Sequence, residues 1–184
     1  MQNQSNAKFI LGITLKLFVI CTLTALLLAC VNALTADKIA QNAANEKTAA
    51  IESIFPEFSS SEQINPVPDG VSALYAISSD TEKIGYAAEL NPLGFGGKMS
   101  VMIGVDASGK VVGVKLISHS ETPGLGTRVG EADHLNQYIG RDSESIKSDI
   151  DVITGSTISS NAIRDAVAKA ISLYDMVFPN GGAE

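Results

Sequence analysis

Thiols and imidazoles are scarce in this sequence. Its 184 residues include two cysteines, Cys21 and Cys30, which both lie in an apolar stretch near the N-terminus. The two histidines, His119 and His134, do not stand at a spacing typical of zinc or haem ligands. Disulfides and cysteine-ligated clusters are therefore excluded from the rest of the chain, where any redox carrier should be organic.

Positive charge is also in short supply. Thirteen lysines and arginines face twenty aspartates and glutamates, which gives a net charge of −7. A protein with this balance offers no basic surface to a phosphate backbone. We therefore expect no nucleic-acid partner.

Charged residues are absent from Leu17 to Ala36, a run of twenty residues. A helix needs about 20 apolar residues to cross the roughly 30 Å of hydrocarbon in a bilayer. Lys8 and Lys16 precede the run, which favours a cytoplasmic N-terminus and an exported C-terminal part. We predict that residues 1–36 are a single-pass anchor in the cell (inner) membrane, with the following domain on the extracytoplasmic side.

Two other kinds of N-terminal segment compete with a permanent anchor. A cleaved secretory signal would have a shorter apolar core and a well-placed small-residue cleavage site. A lipoprotein signal would use Leu27 to Cys30 as its lipidation box, with Cys30 as the modified residue. Apolar, helix-forming sequence continues past Cys30 through Leu34 and Ile39, which favours a retained helix.

The segment after the anchor divides into a stalk and a linker. Alanine-rich sequence with helical spacing continues to Phe55, and Pro56 and the polar stretch Ser59–Asp69 then interrupt it. We assign residues 37–69 to a helical stalk and linker, and residues 70–184 to the main domain.

The main domain has the pattern of an α+β fold. Turn-forming residues separate four short apolar runs, which predicts a mainly antiparallel sheet with flanking helices. A short helix, a final strand and a last helix, capped by Ser159 or Ser160, should follow. The predicted strands are 73–78, 84–90, 99–105, 111–117 and 150–153, and the predicted helices are 129–138 and 159–177.

Three segments are candidates for a ligand site. Asp151–Ser160 lies where a strand is expected to give way to a helix, a place that favours phosphate, although an ordinary capped helix explains the same pattern. His119–Gly126 combines glycines with Pro123 and an apolar Leu125 that suits a flat ring, although a solvated turn is the alternative. Asn91–Lys98 is either a hairpin connection or a loop that covers a ligand.

Two enzymatic interpretations are weak. Asn91–Lys98 is not a nucleotide-hydrolysing loop, because Pro92 and Met99 replace its required glycine and its hydroxyl residue. A threonine hydrolase could recruit Thr157, His119 and Asp151, but no nucleophile-elbow pattern supports it.

The sequence resembles a known family along nearly its whole length. The resemblance rests on the N-terminal helix, Gly85-Tyr86, Gly94–Gly97, Glu121-Thr-Pro-Gly-Leu-Gly126 and the terminal helix. These features are similar to those of the G subunit of the Rnf ion-translocating ferredoxin:NAD oxidoreductase complex, and of the related C subunit of the sodium-translocating NADH:quinone reductase.

The resemblance implies a covalent flavin. In that family a flavin transferase attaches FMN through a phosphoester to a threonine in a pattern like D-x-x-[S/T]-G-A-T. Asp151, Thr154, Gly155 and Thr157 fit this pattern, with Thr157 as the acceptor and Ser156 in place of the usual alanine. The other residues expected to bind the cofactor are Ser160, Glu121, Thr122, Gly124, Leu125 and Gly126.

The function implied is electron transfer within a translocating oxidoreductase complex, with no catalytic residues or independent activity in this chain. Its expected partners are the other membrane subunits and, during maturation, the flavin transferase. A free-standing membrane-anchored flavin carrier and a redox-silent membrane-anchored binding domain remain the alternatives.

Overall fold

The computed structural model describes residues 2–80, 82–147 and 150–179. Contacts divide the chain into two units, residues 1–45 and 46–184. The first unit is helical throughout its described part.

The N-terminal helix α1, Gln2–Ile54, is unbroken. Its segment Phe9–Ile54 contains a window of mean hydropathy 2.4, none of which is buried within the chain. The segment is therefore long and apolar enough to span a membrane. The helical sequence predicted to continue to Phe55 is helical as far as Ile54, the last residue of α1.

The second unit contains a five-stranded antiparallel sheet in its described residues, in the order β1-β2-β3-β4-β5. The four strands predicted for the sheet are confirmed, with ends that differ from the prediction by one or two residues. One strand was missed, because all four of its residues are exposed and polar and give no apolar alternation. The strands are β1 Ser60–Gln63, β2 Ala73–Ser79, β3 Glu82–Leu90, β4 Ser100–Asp106 and β5 Val111–Ser118.

Helices pack on both faces of the sheet. Successive side chains along a strand point to opposite faces, and each face has its own apolar cluster. On one face, Tyr86 and Ile103 pack with Ile163 and Val167 of α3, Thr157–Ile171. On the other face, the C-terminal end of α1 packs through apolar side chains. That second cluster comprises Ala50, Ile51, Ile54, Phe55, Ile77, Ala87 and Met102.

The C-terminal part of the domain differs from the prediction in three places. Residues 150–153 form no strand, because the Asp151 N–H bonds to the Gln137 side chain and the Ile153 N–H bonds to Ser160 Oγ. The predicted helix 129–138 is a series of short pieces, with two 3₁₀ turns flanking α2, Ala132–Leu135. The predicted last helix divides into α3 and α4, Tyr174–Val177.

Neither serine that was predicted to cap the last helix does so. Helix α3 begins at Thr157, and Ser156 occupies the N-cap position. Ser159 and Ser160 lie buried inside the first turn. The prediction was wrong because serine favours both caps and turns, and several hydroxyl residues stand close together around the helix start.

Candidate functional site

A cavity of about 300 Å³ opens at the N-terminal end of α3. Three chain segments that are distant in sequence form its wall: the loop between β3 and β4, the turn after β5, and the start of α3. The residues that line it are Phe95, Glu121, Thr122, Leu125, Gly126, Gly155, Ser156, Thr157, Ile158 and Ser159.

The N-cap serine of α3 bonds to another loop instead of capping its own helix. Ser156 Oγ donates a hydrogen bond of 2.6 Å to the Leu125 carbonyl, and no side chain caps the helix at this position. The first-turn N–H groups of a helix have no intrahelical acceptor. They are therefore available, together with the positive end of the helix dipole, to an anionic group placed at Thr157.

The turn before the helix requires glycine at position 155. Gly155 has a φ of 86°, and a Cβ there would lie 2.9 Å from Leu125 Cδ1. The backbone of the turn can therefore approach Leu125 closely. The side chain of Thr157, the first residue of α3, is exposed beside the cavity.

Glu121 is a buried carboxylate in the cavity wall. Its side chain lies among three glycines, because a Cβ at Gly94, Gly96 or Gly126 would meet Glu121 or the adjoining Ser120 carbonyl. Gly96 N–H donates a hydrogen bond of 3.2 Å to Glu121 Oε1. This packing fixes the carboxylate rather than leaving it to rotate in solvent.

Apolar side chains form the rim. Phe95, Leu125 and Ile158 are 76%, 47% and 56% exposed, which is unusual for side chains of this size. The Phe95 N–H donates a hydrogen bond of 3.2 Å to Ser159 Oγ, which ties the glycine-rich loop to α3. The cavity can therefore hold a flat apolar ring next to a polar, anion-favouring end.

Seven of the predicted cofactor residues lie together in this cavity wall. Four others do not. Asp151 and Thr154 line a separate polar cleft, Ser160 is buried beneath the 150–153 segment, and Gly124 stands outside the lining with a φ of 76°. The seven that come together are Glu121, Thr122, Leu125, Gly126, Gly155, Ser156 and Thr157.

Three lining residues were not predicted individually as cofactor residues, although all three lie in segments that were candidates for a ligand site. Phe95 belongs to the loop that was considered as a ligand cover, so its flanking glycines carried a usable signal. Ser159 was assigned to a cap, and Ile158 gave no signal because an apolar residue at a helix start is ordinary.

The second cleft contains a perturbed histidine. His134, Arg128 and Gln137 line it together with residues 151–154. Burial lowers the pKa of His134 below its ordinary value, and burial raises the pKa of the neighbouring Tyr138 to about 12. The Tyr138 hydroxyl lies 3.4 Å from His134 Nε2. Among the described residues, no group of three or more acidic, histidine or cysteine side chains could hold a metal ion.

The hydrolase interpretation finds no support in this geometry. Thr157 lines the first cavity and Asp151 lines the second cleft, so they do not share a site. His119 Nδ1 accepts the Glu121 N–H at 3.3 Å and lines neither.

Known proteins match this chain over most of its length. The family model of the FMN-binding domain matches residues 94–172. This range includes the lining residues from all three segments of the cavity wall. The G subunit of the Na(+)-translocating ferredoxin:NAD(+) oxidoreductase complex of Acetobacterium woodii is 28% identical over 93% of this chain and 94% of its own length.

Two further relatives carry related names. The G subunit of the ion-translocating oxidoreductase complex of Photorhabdus laumondii is 31% identical over 91% of this chain and 90% of its own length. The G subunit of the proton-translocating ferredoxin:NAD(+) oxidoreductase complex of Clostridium ljungdahlii is 24% identical over 93% of this chain and 95% of its own. This chain therefore belongs to the family of G subunits of ion-translocating oxidoreductase complexes, with an FMN-binding domain at residues 94–172.

Proposed function

We propose that this chain is the electron-transfer subunit of a membrane-bound ion-translocating ferredoxin:NAD oxidoreductase, and that it relays electrons through FMN joined by a phosphoester to Thr157. The observation that supports this most is the start of α3. An exposed threonine hydroxyl stands at an uncapped helix N-terminus, at the wall of a cavity with an apolar rim.

The residues present fit the two chemically different ends of FMN. A phosphate ester on Thr157 would meet the free first-turn N–H groups of α3, which favour negative charge. The isoalloxazine ring needs an apolar slot, and Leu125, Phe95 and Ile158 supply such surfaces. Bound FMN would supply one-electron chemistry, so the chain itself needs no acid or base for catalysis.

The division of the acceptor motif between two surfaces suggests two tasks. Thr157, Gly155 and Ser156 line the cavity, whereas Asp151 and Thr154 line the second cleft. Asp151 and Thr154 are not among the residues that line the cavity. We assign them to recognition by a flavin transferase during maturation, and the cavity residues to the mature cofactor.

The membrane arrangement follows from α1 and from charge. The apolar run Leu17–Ala36 within α1 would insert once, with the FMN domain on the extracytoplasmic side of the cell membrane. Other membrane subunits of the complex would contact α1 and approach the exposed rim at Phe95, Leu125 and Ile158. A covalent link would keep the cofactor in place where free FMN is scarce.

The test is the intact mass of the full chain, made in a host that co-expresses a flavin transferase. We expect an added mass of one FMN less water, located by peptide mapping on the Thr157 peptide. Thr157→Ala should abolish it. Ser143→Ala is the matched control, since Ser143 is an exposed hydroxyl residue that does not line the cavity.

An unmodified wild-type chain would contradict the covalent link and would favour a redox-silent membrane-anchored domain. If FMN is present but the chain never co-purifies with larger membrane subunits from its native membranes, a free-standing flavin carrier becomes the better description.

A further inference from the structure

Glu121 is the least expected residue in the cavity wall, because it is charged, 6% exposed and, among the described side chains, unpaired with any cation. In the described part of the chain, ion pairs join Lys47 to Glu89 and Arg164 to Asp165, and neither involves Glu121. Removing a carboxylate from water costs several kcal/mol unless a cation or hydrogen bonds compensate it. One N–H donor, from Gly96, offers only partial compensation.

The surrounding backbone is shaped to admit this side chain. Gly94 and Gly126 approach Glu121 so closely that any larger residue at either position would displace its carboxylate. Its own N–H is held by His119 Nδ1 at 3.3 Å. A costly buried charge, fixed by glycines from two different loops, indicates a role in the cavity rather than in folding.

We propose that Glu121 lowers the reduction potential of the bound FMN. This inference rests on the proposed function, because it concerns the cofactor of that same cavity. A fixed negative charge in the cavity wall opposes the addition of an electron to a neighbouring group, and burial leaves the charge poorly screened. The residue would thereby keep FMN able to pass its electron onward, instead of retaining it.

The experiment measures the FMN midpoint potential by spectroelectrochemistry on the full chain in detergent. Mass analysis first establishes that FMN is attached, so a failure of the proposed function is seen separately. Glu121→Gln keeps the shape and the acceptor for Gly96 N–H but removes the charge. Glu62→Gln removes one charge from an exposed residue of β1 that lines neither the cavity nor the second cleft, and it is the matched control.

We expect Glu121→Gln to raise the ratio of reduced to oxidised FMN at a fixed potential at least tenfold, or about 59 mV for a one-electron step. The shift should persist in about 1 M salt, which screens exposed charges. Glu62→Gln should stay within twofold of wild type. A loaded Glu121→Gln protein that also stays within twofold would overturn the proposal.

A second variant keeps the proposal testable if Glu121→Gln does not fold or load. Thr122 is exposed and lines the same cavity, so Thr122→Lys adds a positive charge there without disturbing buried packing. It should raise the reduced fraction at fixed potential, and salt should diminish the shift. An unchanged or lowered reduced fraction in loaded Thr122→Lys would overturn the electrostatic account.

Discussion

The Ser156 hydroxyl donates a hydrogen bond of 2.6 Å to the Leu125 carbonyl, 31 residues earlier in the chain. This bond joins the turn after β5 to the start of α3 and commits the N-cap hydroxyl to a tertiary contact. The first turn of α3 is therefore left without a side-chain cap beside Thr157. The same contact joins two segments of the cavity wall and leaves the first-turn N–H groups of α3 available to an anion.

Replacement of Gly155 should separate the effect of the cavity from that of backbone strain. Gly155 and Gly140 have φ values of 86° and 78°, so alanine at either position should lower stability by about 1 to 2 kcal/mol. Only Gly155→Ala also places a methyl group against Leu125.

FMN attachment, measured by mass, should therefore fall for Gly155→Ala and remain near wild type for Gly140→Ala. Equal losses in the two variants would show that general stability, rather than cavity geometry, limits attachment.

The sheet could be predicted because its strands alternate with clear turn signals, as around Asp106–Lys110. β1 could not, since it depends on pairing with β2 rather than on its own polar residues. The 150–153 segment was wrongly predicted to be a strand for the opposite reason. Its apolar residues suggested a strand, but its backbone bonds to the side chains of Gln137 and Ser160, which local sequence does not reveal.

The candidate site shows the same division between local and long-range information. The helix start near Thr157 and the glycine-rich turn after β5 have local signatures. Phe95 lies near both of these segments, whereas Asp151 and Thr157 line different sites. Both arrangements depend on how distant segments of the chain fold together. No spacing rule connects those positions.

The ion pair between Lys47 of α1 and Glu89 of β3 should matter for stability. Lys47 Nζ lies 2.8 Å from Glu89 Oε2, and Ser100 Oγ donates to Glu89 Oε1 at 3.0 Å. Lys47→Met leaves a buried carboxylate oxygen without its cation, which should cost about 1 to 3 kcal/mol.

Chemical unfolding of the full chain in detergent measures this cost. Lys38→Met is the control, because it removes the same charge from an exposed position of the same helix. A Lys47→Met protein as stable as Lys38→Met would show that the pair contributes nothing.

His134 should make the domain less stable in mild acid. Its pKa is lowered by burial from the ordinary value of 6.5, so the unfolded chain takes up a proton near pH 6.5 while the folded chain does not. The stability that neutral His134 contributes is therefore complete above pH 6.5. As the pH falls below 6.5, the free energy of unfolding should decrease by up to about 1.4 kcal/mol per pH unit.

Unfolding free energies measured from pH 7.5 to about 5.5 test this. His134→Gln should flatten the decline. An undiminished decline in His134→Gln would assign the acid sensitivity to other groups.

The orientation of the chain in the membrane can be tested with single cysteines. In a background with Cys21 and Cys30 replaced by serine, Asp69→Cys places a thiol at an exposed position of the second unit. An impermeant thiol reagent should label it in intact cells but should not label Asn3→Cys, which precedes the apolar segment. The reverse labelling pattern would place the FMN domain in the cytoplasm.

The most direct test of the central claim is ferredoxin-dependent NAD reduction by native membranes that carry Thr157→Ala, compared with Ser143→Ala and wild type. Quantification of the subunits in the purified complex shows whether assembly is intact. We predict that the Thr157→Ala complex assembles, lacks FMN on this chain and keeps less than about a tenth of the activity, while Ser143→Ala remains near wild type. Full activity in an assembled Thr157→Ala complex without that FMN would contradict electron relay through Thr157.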